Sequence, residues 1–502
     1  MTRPYVIGID CSTTAVKAIA FTADGAALAE GRAPLTRSAP RPGWGEQAAS
    51  SWWDATCAAL RGLTGRLAEA GAGAPEGLAI THQSESFVCL DAAGEETGPA
   101  ILWLDTRAGD QIARFGTSEI HAVSGKPPST TPSLYKLIWL REHEPERIAA
   151  TAMVADTHAY LVHRLTGRWA TSVASADPMS LLDMATFTWS ERLLALAGLT
   201  TAQVPELVAP GAGIATVSAA ASAATGLPAG LPVVAGAGDG QCAGLGAAAI
   251  EPDHVYLSLG TSLTIGAQSG AFGISDSYRT LASPIAGAYT LEALMSSGML
   301  SLAWLRERVA GLPDSAEGVA ALTEMAETST PGSRGLLFLP YLTSAETPYW
   351  DADARAAFVG LGDHHGLEDM ARAVFEGLAL ESRLLLTAIE ADRGTRVTRV
   401  TAMGGGSRSA MMLRTFADVL DREISIAAEP ETAALGAAML AAFGVGLDGP
   451  RTLPEVAARM SRTEGSMTPG GSTRDLYADL FEVYRTVYPS LRTAFSGLAR
   501  FR

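Results

Sequence analysis

Residues 231–262 read LPVVAGAGDGQCAGLGAAAIEPDHVYLSLGTS, and this stretch decides the fold. A short apolar run through Val233 and Val234 ends in glycines. A lone acid, Asp239, follows among small residues. A second apolar run over 255–259 ends in Gly260, Thr261 and Ser262. An acid at the end of a buried run is costly unless it is solvated, paired or used. A Gly-Thr-Ser turn after a strand can cradle phosphate, because glycine lets backbone N–H groups approach and the hydroxyls add donors. One segment therefore offers a candidate base and a candidate phosphate loop. A Gly-rich connection carrying a solvated aspartate is the alternative.

The same shape occurs near the start of the chain. Residues 5–10 (YVIGID) read as a buried strand ending in Asp10. A polar turn, Cys11 to Thr14, leads to a second strand over 15–21 (AVKAIAF), and a third begins near Ala27. Successive strands with tight turns predict an antiparallel meander. Strand, small or hydroxyl turn, strand thus appears twice, roughly half a chain apart, a weak internal repeat. It suggests two related domains, 1–244 and 245–502, each lending a hairpin to one nucleotide between them. The Walker A pattern is absent. Gly244 and Gly246 mimic a dinucleotide fingerprint without a βαβ unit around them.

A chain of 502 residues with 47% hydrophobic content can fill two large domains. Its 53 acidic and 37 basic residues give a formal charge of −16. That field repels nucleic acid and anionic membrane, so neither is an expected partner. ATP would need local donors and a metal ion. The cysteines Cys11, Cys57, Cys89 and Cys242 are scattered, which fits a reducing cytoplasm and no disulfide framework or zinc site. A strand by Tyr5 leaves no room for a signal peptide. The longest apolar run, 433–447, contains glycines and reads as a buried helix. Only Lys17, Lys126 and Lys136 are lysines; the other cations are arginine. Unless chance explains it, a surviving lysine does something arginine cannot.

Between these landmarks, 50–70 reads as an amphipathic helix and 77–90 as strand, polar loop (THQSES, 81–86), strand. Residues 101–107 (ILWLDTR) read as one extended stretch with Trp103, Asp105 and Arg107 on one face. That is either a sugar-reading set or an edge strand with an Asp–Arg pair. Residues 133–144 read as a helix, 209–231 as a surface connection, 291–309 and 315–326 as helices, 335–341 as a buried strand, and 367–392 as a long helix. A strand over 399–403 runs into Gly404, Gly405 and Gly406 and then a helix, which allows a flat ligand or phosphate close to backbone. An Ala-rich helix over 431–443 suits tight packing. The last helix carries Leu476, Leu480, Tyr484, Val487, Leu491 and Phe495 on one stripe.

Taken in order, these motifs resemble the FGGY carbohydrate kinases, which include xylulokinases, glycerol kinases and related sugar and polyol kinases. The likeness covers nearly the whole chain. Residues 7–17 look like the family's first phosphate motif. Residues 133–143, with Lys136 and Trp139, follow one signature, and 356–376, with Gly360 and Leu361, follow the other. The resemblance implies an α/β fold of two actin-like, ribonuclease H-like ATPase domains flanking a catalytic cleft. The first domain would hold the sugar and the second the nucleotide, with ATP and Mg²⁺ as cofactors. It implies that Asp239 meets the substrate as general base. A free pKa of about 4 makes it a weak base, which suffices because phosphoryl transfer rests mainly on positioning and charge stabilisation. Asp10 would hold Mg²⁺ through water. Thr13, Thr14 and Lys17 would approach the transferred phosphate, and Gly260, Thr261 and Ser262 would cradle it from the second domain. Gly404, Gly405 and Gly406 would pack against adenosine. Gln83, Glu85, Trp103 and Asp105 would line the sugar site.

The departures bear on substrate. Ser12 stands where the family usually has glycine. Ser84, Glu85 and Ser86 replace the Met-His-Gly typical of xylulokinases, and 82–86 looks like the glycerol-kinase motif without its arginine. Gly240 follows Asp239, where relatives carry Asn or Gln. The expected substrate is a neutral pentulose or polyol, D-xylulose first and glycerol behind it. A homodimer is left open. An actin-fold ATPase without sugar phosphorylation, or an inactive sugar-binding relative, are the rival classes.

Overall fold

Two open sheets, each built around one copy of the repeated strand–turn–strand unit, frame the protein. The computed structural model describes residues 3–449 and 451–501. In the first sheet, β1 (Tyr5–Cys11), β2 (Ala15–Thr22) and β3 (Ala27–Pro34) form the expected meander. Helix α1 (Ala49–Glu69) leads to β4 (Leu78–His82); β5 (Gly213–Thr216) and β6 (Pro232–Gly238) come later. The order is β5-β6-β4-β1-β2-β3, with β4 and β6 running parallel to β1.

Helix α2 (Asp239–Gly246) carries the chain into the second sheet. Its strands are β7 (His254–Leu259), β8 (Leu263–Ser269), β9 (Arg279–Ala282), β10 (Tyr289–Met295), β11 (Arg399–Met403), β12 (Ile424–Ala427) and β13 (Thr463–Met467). The order is β9-β10-β8-β7-β11-β12-β13. Here too an antiparallel unit, β7-β8-β10, is extended by strands parallel to its first member, β11 and β12. The repeat read from the sequence is thus a repeat of topology. Ligands of open α/β sheets bind outside the carboxyl ends of parallel strands. Those ends carry Asp10, His82 and Asp239 in the first sheet, and Gly260 and Gly404 in the second.

Around the second sheet run α3 (Gly298–Trp304), α4 (Leu367–Arg393), α5 (Ala410–Leu420) and α7 (Arg474–Ala499). The Ala-rich α6 (Thr432–Val445) does something else: it crosses to the first sheet and packs on it beside α2. A Cβ on Gly8 of β1 would lie 2.0 Å from the Ala434 carbonyl oxygen, and one on Gly436 would lie 1.9 Å from the Cys242 carbonyl oxygen. Such contact requires the small residues that dominate both helices. Val6, Ile19, Ala79 and Val234 of the first sheet are buried in the same cluster as Ala434, Ala438 and Leu440 of α6.

Three expectations are corrected. The 209–231 connection contains strand β5 and a helix, Ala219–Thr225, capped by the Ser218 side chain on the Ala221 N–H. Residues 291–309 are not one helix: 289–295 form β10, flanked by strands on both sides and buried with no alternation, so periodicity could not distinguish it from a helix. In α7 the buried face is Tyr477, Phe481, Tyr484, Val487, Tyr488 and Phe495, whereas Leu476 is exposed. The tyrosines set that face. Tyr477 donates to Glu376 at 2.7 Å and Tyr484 to Glu381 at 2.7 Å, both buried acids of α4 that need donors.

Candidate active site

The β6–β4–β1 register aligns Gly238, His82 and Cys11 in one row, so the residues just beyond them emerge together. Asp239 opens α2 and faces the cleft. Although it reaches solvent, the surrounding protein pushes its carboxyl pKa up; Glu292 pushes the same way, while Ser84, His82 and Arg279 oppose. Ser84 Oγ donates to Asp239 Oδ1 at 2.9 Å. Asp10, two strands away, is buried, and burial pushes it up to about 7 against the pull of Lys17. Asp10 Oδ1 is buried without a hydrogen-bond partner.

The first turn closes on Ser12, whose hydroxyl donates to the Ala15 carbonyl at 2.8 Å. The residue does not lie at positive φ, so the loop accommodates its Cβ. Thr14 is exposed, while Thr13 Oγ1 donates to Gln83 Oε1 at 3.1 Å and accepts from Trp103 Nε1 at 3.0 Å. Gln83 also accepts from Ser86 and donates to Gln47. Gln83 and Trp103 thus anchor the 11–14 turn to the neighbouring loop. Lys17 pairs with Glu431, which immediately precedes α6, an acid that sequence reasoning did not single out.

Glu85 sits at φ 65°, a left-handed conformation uncommon outside glycine, and its side chain is buried. Its Oε1 accepts from Thr131 at 2.7 Å and from Arg279 Nη1 at 2.9 Å. Asp105 has a different environment. Only Ala100–Ile101 is extended; the chain then turns, so 103, 105 and 107 do not share a strand face. The fully buried Asp105 accepts from the Gly45 and Arg107 N–H groups and from the Arg107 guanidinium. Both oxygens are occupied, and the Asp–Arg pair rather than a sugar-reading face is what forms. Arg107 also stacks 3.6 Å over the Trp44 ring and pairs with Glu46.

The three lysines all have buried or partly buried tasks around this cleft. Lys136 Nζ donates to the carbonyls of Leu102, Trp103 and Thr131 at 3.1, 2.9 and 2.7 Å. A compact ammonium can meet three acceptors spread in space; a planar guanidinium cannot. Lys126 is buried against Asp177, whose other oxygen accepts from the Ala282 N–H at the edge of the second sheet.

In the second sheet, Gly260 and Thr261 follow β7. Their carbonyls accept from the Met299 and Leu300 N–H groups at the start of α3, at 3.0 and 3.3 Å. Ser262 Oγ donates weakly to the Ser296 carbonyl at 3.5 Å. Beside this turn, Gly404 has φ 86°, and a Cβ there would lie 3.0 Å from the Leu259 carbonyl oxygen. A Cβ on Gly406 would lie 2.8 Å from Met299 Sδ, while one on Gly405 would meet nothing. Gly260, Thr261, Gly405 and Gly406 line a cavity of about 610 Å³ whose other walls include Met299, Leu302, Leu322, Phe375 and Met412. An apolar cleft with glycine backbone on one side suits a flat ring.

Among the described residues, no group of three or more His, Cys, Asp or Glu is arranged to hold a metal ion, and no helix is long and apolar enough to cross a membrane.

Comparison with known proteins agrees with this architecture. The FGGY family of carbohydrate kinases, N-terminal domain, matches residues 5–246, and the C-terminal domain of that family matches 255–445. The chain is 30% identical to a xylulose kinase of Escherichia coli, over 97% of this chain and 99% of that protein. It is 29% identical to a glycerol kinase of a Geobacter species, over 88% of this chain and 90% of that protein. The crystal structure of a xylulose kinase from Rhodospirillum rubrum superposes with a TM-score of 0.90 at 30% identity, covering 98% of this chain and all of that one. With two actin-like lobes, loops converging from both sheets, and family matches over both halves, the chain belongs to the FGGY family of carbohydrate kinases.

Proposed function

We propose that this protein is an ATP-dependent pentulose kinase that transfers the γ-phosphate of ATP to a hydroxyl of D-xylulose. The observation that carries the reading is Asp239, held by Ser84 at the cleft mouth of the first sheet. Asp239 takes the proton of the attacking hydroxyl as its oxygen bonds to the γ-phosphorus and the bond to ADP breaks. The surrounding protein raises its pKa, which makes its carboxylate a better proton acceptor than that of a free aspartate. Thr13, Thr14 and Lys17 meet the transferred phosphate from the first lobe, and Gly260, Thr261 and Ser262 from the second. Lys17 gives one of its three N–H donors to Glu431 and keeps others for phosphate. Adenosine occupies the 610 Å³ cavity beside Gly404, Gly405 and Gly406.

Mg²⁺ bound with the nucleotide supplies charge neutralisation on the phosphates. The buried, unpartnered Asp10 Oδ1 fits a water-mediated role toward it. The division into 1–244 and 245–502 assigns sugar to the first lobe and nucleotide to the second.

A glycerol or four- to five-carbon polyol kinase is the second reading, favoured by Glu85 standing within a glycerol-kinase-like motif. Coupled ADP release across ketoses, aldoses and polyols decides. D-Xylulose is expected to give the highest kcat/KM. A higher value for glycerol reverses the order, and ADP release independent of every sugar removes the kinase reading.

A further inference from the structure

Gly240 leaves a gap beside Asp239 that the second lobe fills. A Cβ on Gly240 would lie 2.5 Å from Glu292 Oε2 and 3.6 Å from the Tyr256 hydroxyl. Glu292 stands in β10 and is buried; Tyr256, beneath it in β7, donates to the same Oε2 at 2.8 Å. Its Oε1 takes Arg279 Nε at 2.7 Å and Nη2 at 2.6 Å. Arg279 Nη1 then crosses to Glu85 in the first lobe. Burial works against the Arg279 charge, but Glu85 and Glu292 outweigh it and hold the guanidinium ionised. A run of side chains, Glu85–Arg279–Glu292, therefore lies beside Asp239, and of these only Glu85 stands in a stretch that the sequence singles out.

Its spare capacity faces both ways. Among the described residues, the hydrogen bonds to the Glu85 carboxylate both end on Oε1, which leaves Oε2 as an acceptor. Arg279 has five N–H donors, and its contacts with the two acids leave others over. Alternating acceptor and donor is what a chain of vicinal hydroxyls requires. Acids predominate: Asp239, Glu85, Glu292 and the nearby Glu346 surround Arg279, while Lys126 is held by Asp177 and Lys136 by three backbone carbonyls. Among the described residues, a carboxylate or phosphate on the substrate would find Arg279, Lys126 and Lys136 already engaged and would add charge to an acidic site.

We propose that Arg279 and Glu292 of the second lobe, acting with Glu85 of the first, determine acceptor specificity, admitting an uncharged polyhydroxy chain and excluding sugar acids and sugar phosphates. This rests on the sugar-kinase reading above. Because the set spans both lobes, the acceptor site is complete only when they are apposed.

The test is coupled ADP release with neutral ketoses and polyols beside aldonates and sugar phosphates of equal length, on wild type, Arg279→Lys, Glu292→Gln and Gly240→Ala. Wild type is expected to favour the neutral substrate by about 10²-fold or more in kcat/KM. Arg279→Lys keeps the charge but loses the fork, and is expected to raise KM for the neutral sugar about tenfold. Glu292→Gln frees Arg279 from one acid and is expected to raise the acid-to-neutral ratio at least about tenfold. Gly240→Ala changes no charge and only displaces Glu292, so it supports the proposal by raising sugar KM even where the charge variants fold poorly. The thermal shift given by MgADP, whose cavity lies elsewhere, reports folding and is expected to be unchanged in Gly240→Ala. Neutral-sugar turnover with all folded variants within threefold of wild type overturns the inference alone, as does a wild-type preference for an aldonate. No turnover of any sugar by wild type overturns the kinase reading, and this inference with it.

Discussion

Ser84 Oγ donates to Asp239 Oδ1 at 2.9 Å, joining residues 155 positions apart in the chain. The bond favours the ionised carboxylate, opposing the desolvation that raises its pKa. Ser84→Ala should therefore move the acid limb of the kcat/KM profile to higher pH and lower activity at pH 7. An acid limb unmoved by the substitution would show that the bond does not tune the base.

Asp239→Asn should keep the fold and MgADP binding but lower turnover by roughly two to four decades, the usual worth of a general base. Single-turnover phosphoryl transfer separates this from slow product release. A variant within threefold of wild type would remove Asp239 from the chemistry.

Asp10 is pushed up to about 7 by burial, with Asp239 and Glu431 adding to the effect. Between pH about 4 and about 7 the folded protein keeps a proton there that the unfolded chain has released. Stability without ligand should thus fall as pH rises through that window. Asp10→Asn should remove the fall and raise the apo Tm at pH 8, while abolishing stabilisation by MgADP over ADP alone. Equal Tm–pH curves for the two proteins would contradict the assignment.

Asp105 holds the buried Arg107 guanidinium, whose side chain is 1% exposed. Asp105→Ala should cost roughly 3 kcal/mol by leaving part of a buried charge uncompensated, and leave sugar KM within threefold at temperatures where the protein is folded. Denaturant unfolding and KM measured on one preparation distinguish the two roles. A rise in KM without loss of stability would return Asp105 to the sugar site.

The sequence made visible what is local. The glycines around Asp239, the Gly260 turn and the Gly404 loop break apolar runs, and a break at a strand end is legible wherever the strand lies. Contacts between distant segments were not legible. Arg279 stands in an unremarkable edge strand, Glu431 before an Ala-rich helix, and each matters through what the topology brings opposite. The shared face of Trp103, Asp105 and Arg107 was misread because alternation presumes an extended chain, and the chain turns after Ile101. Residues 289–295 failed differently: an inner strand is buried on both faces, Thr290 and Glu292 included, so no solvent-facing side marks it as a strand.

The crossing of α6 onto the first sheet limits how this chain can be divided. A fragment ending at Gly246 would have every strand of that sheet and α2, yet leave Val6, Ile19, Ala79 and Val234 bare to water where α6 belongs. Split at that point, the two pieces would each expose half of one buried face. Reporter or biosensor designs that cut this kinase between its lobes would thus yield halves that find each other spontaneously, and a split meant to stay silent has to be placed elsewhere.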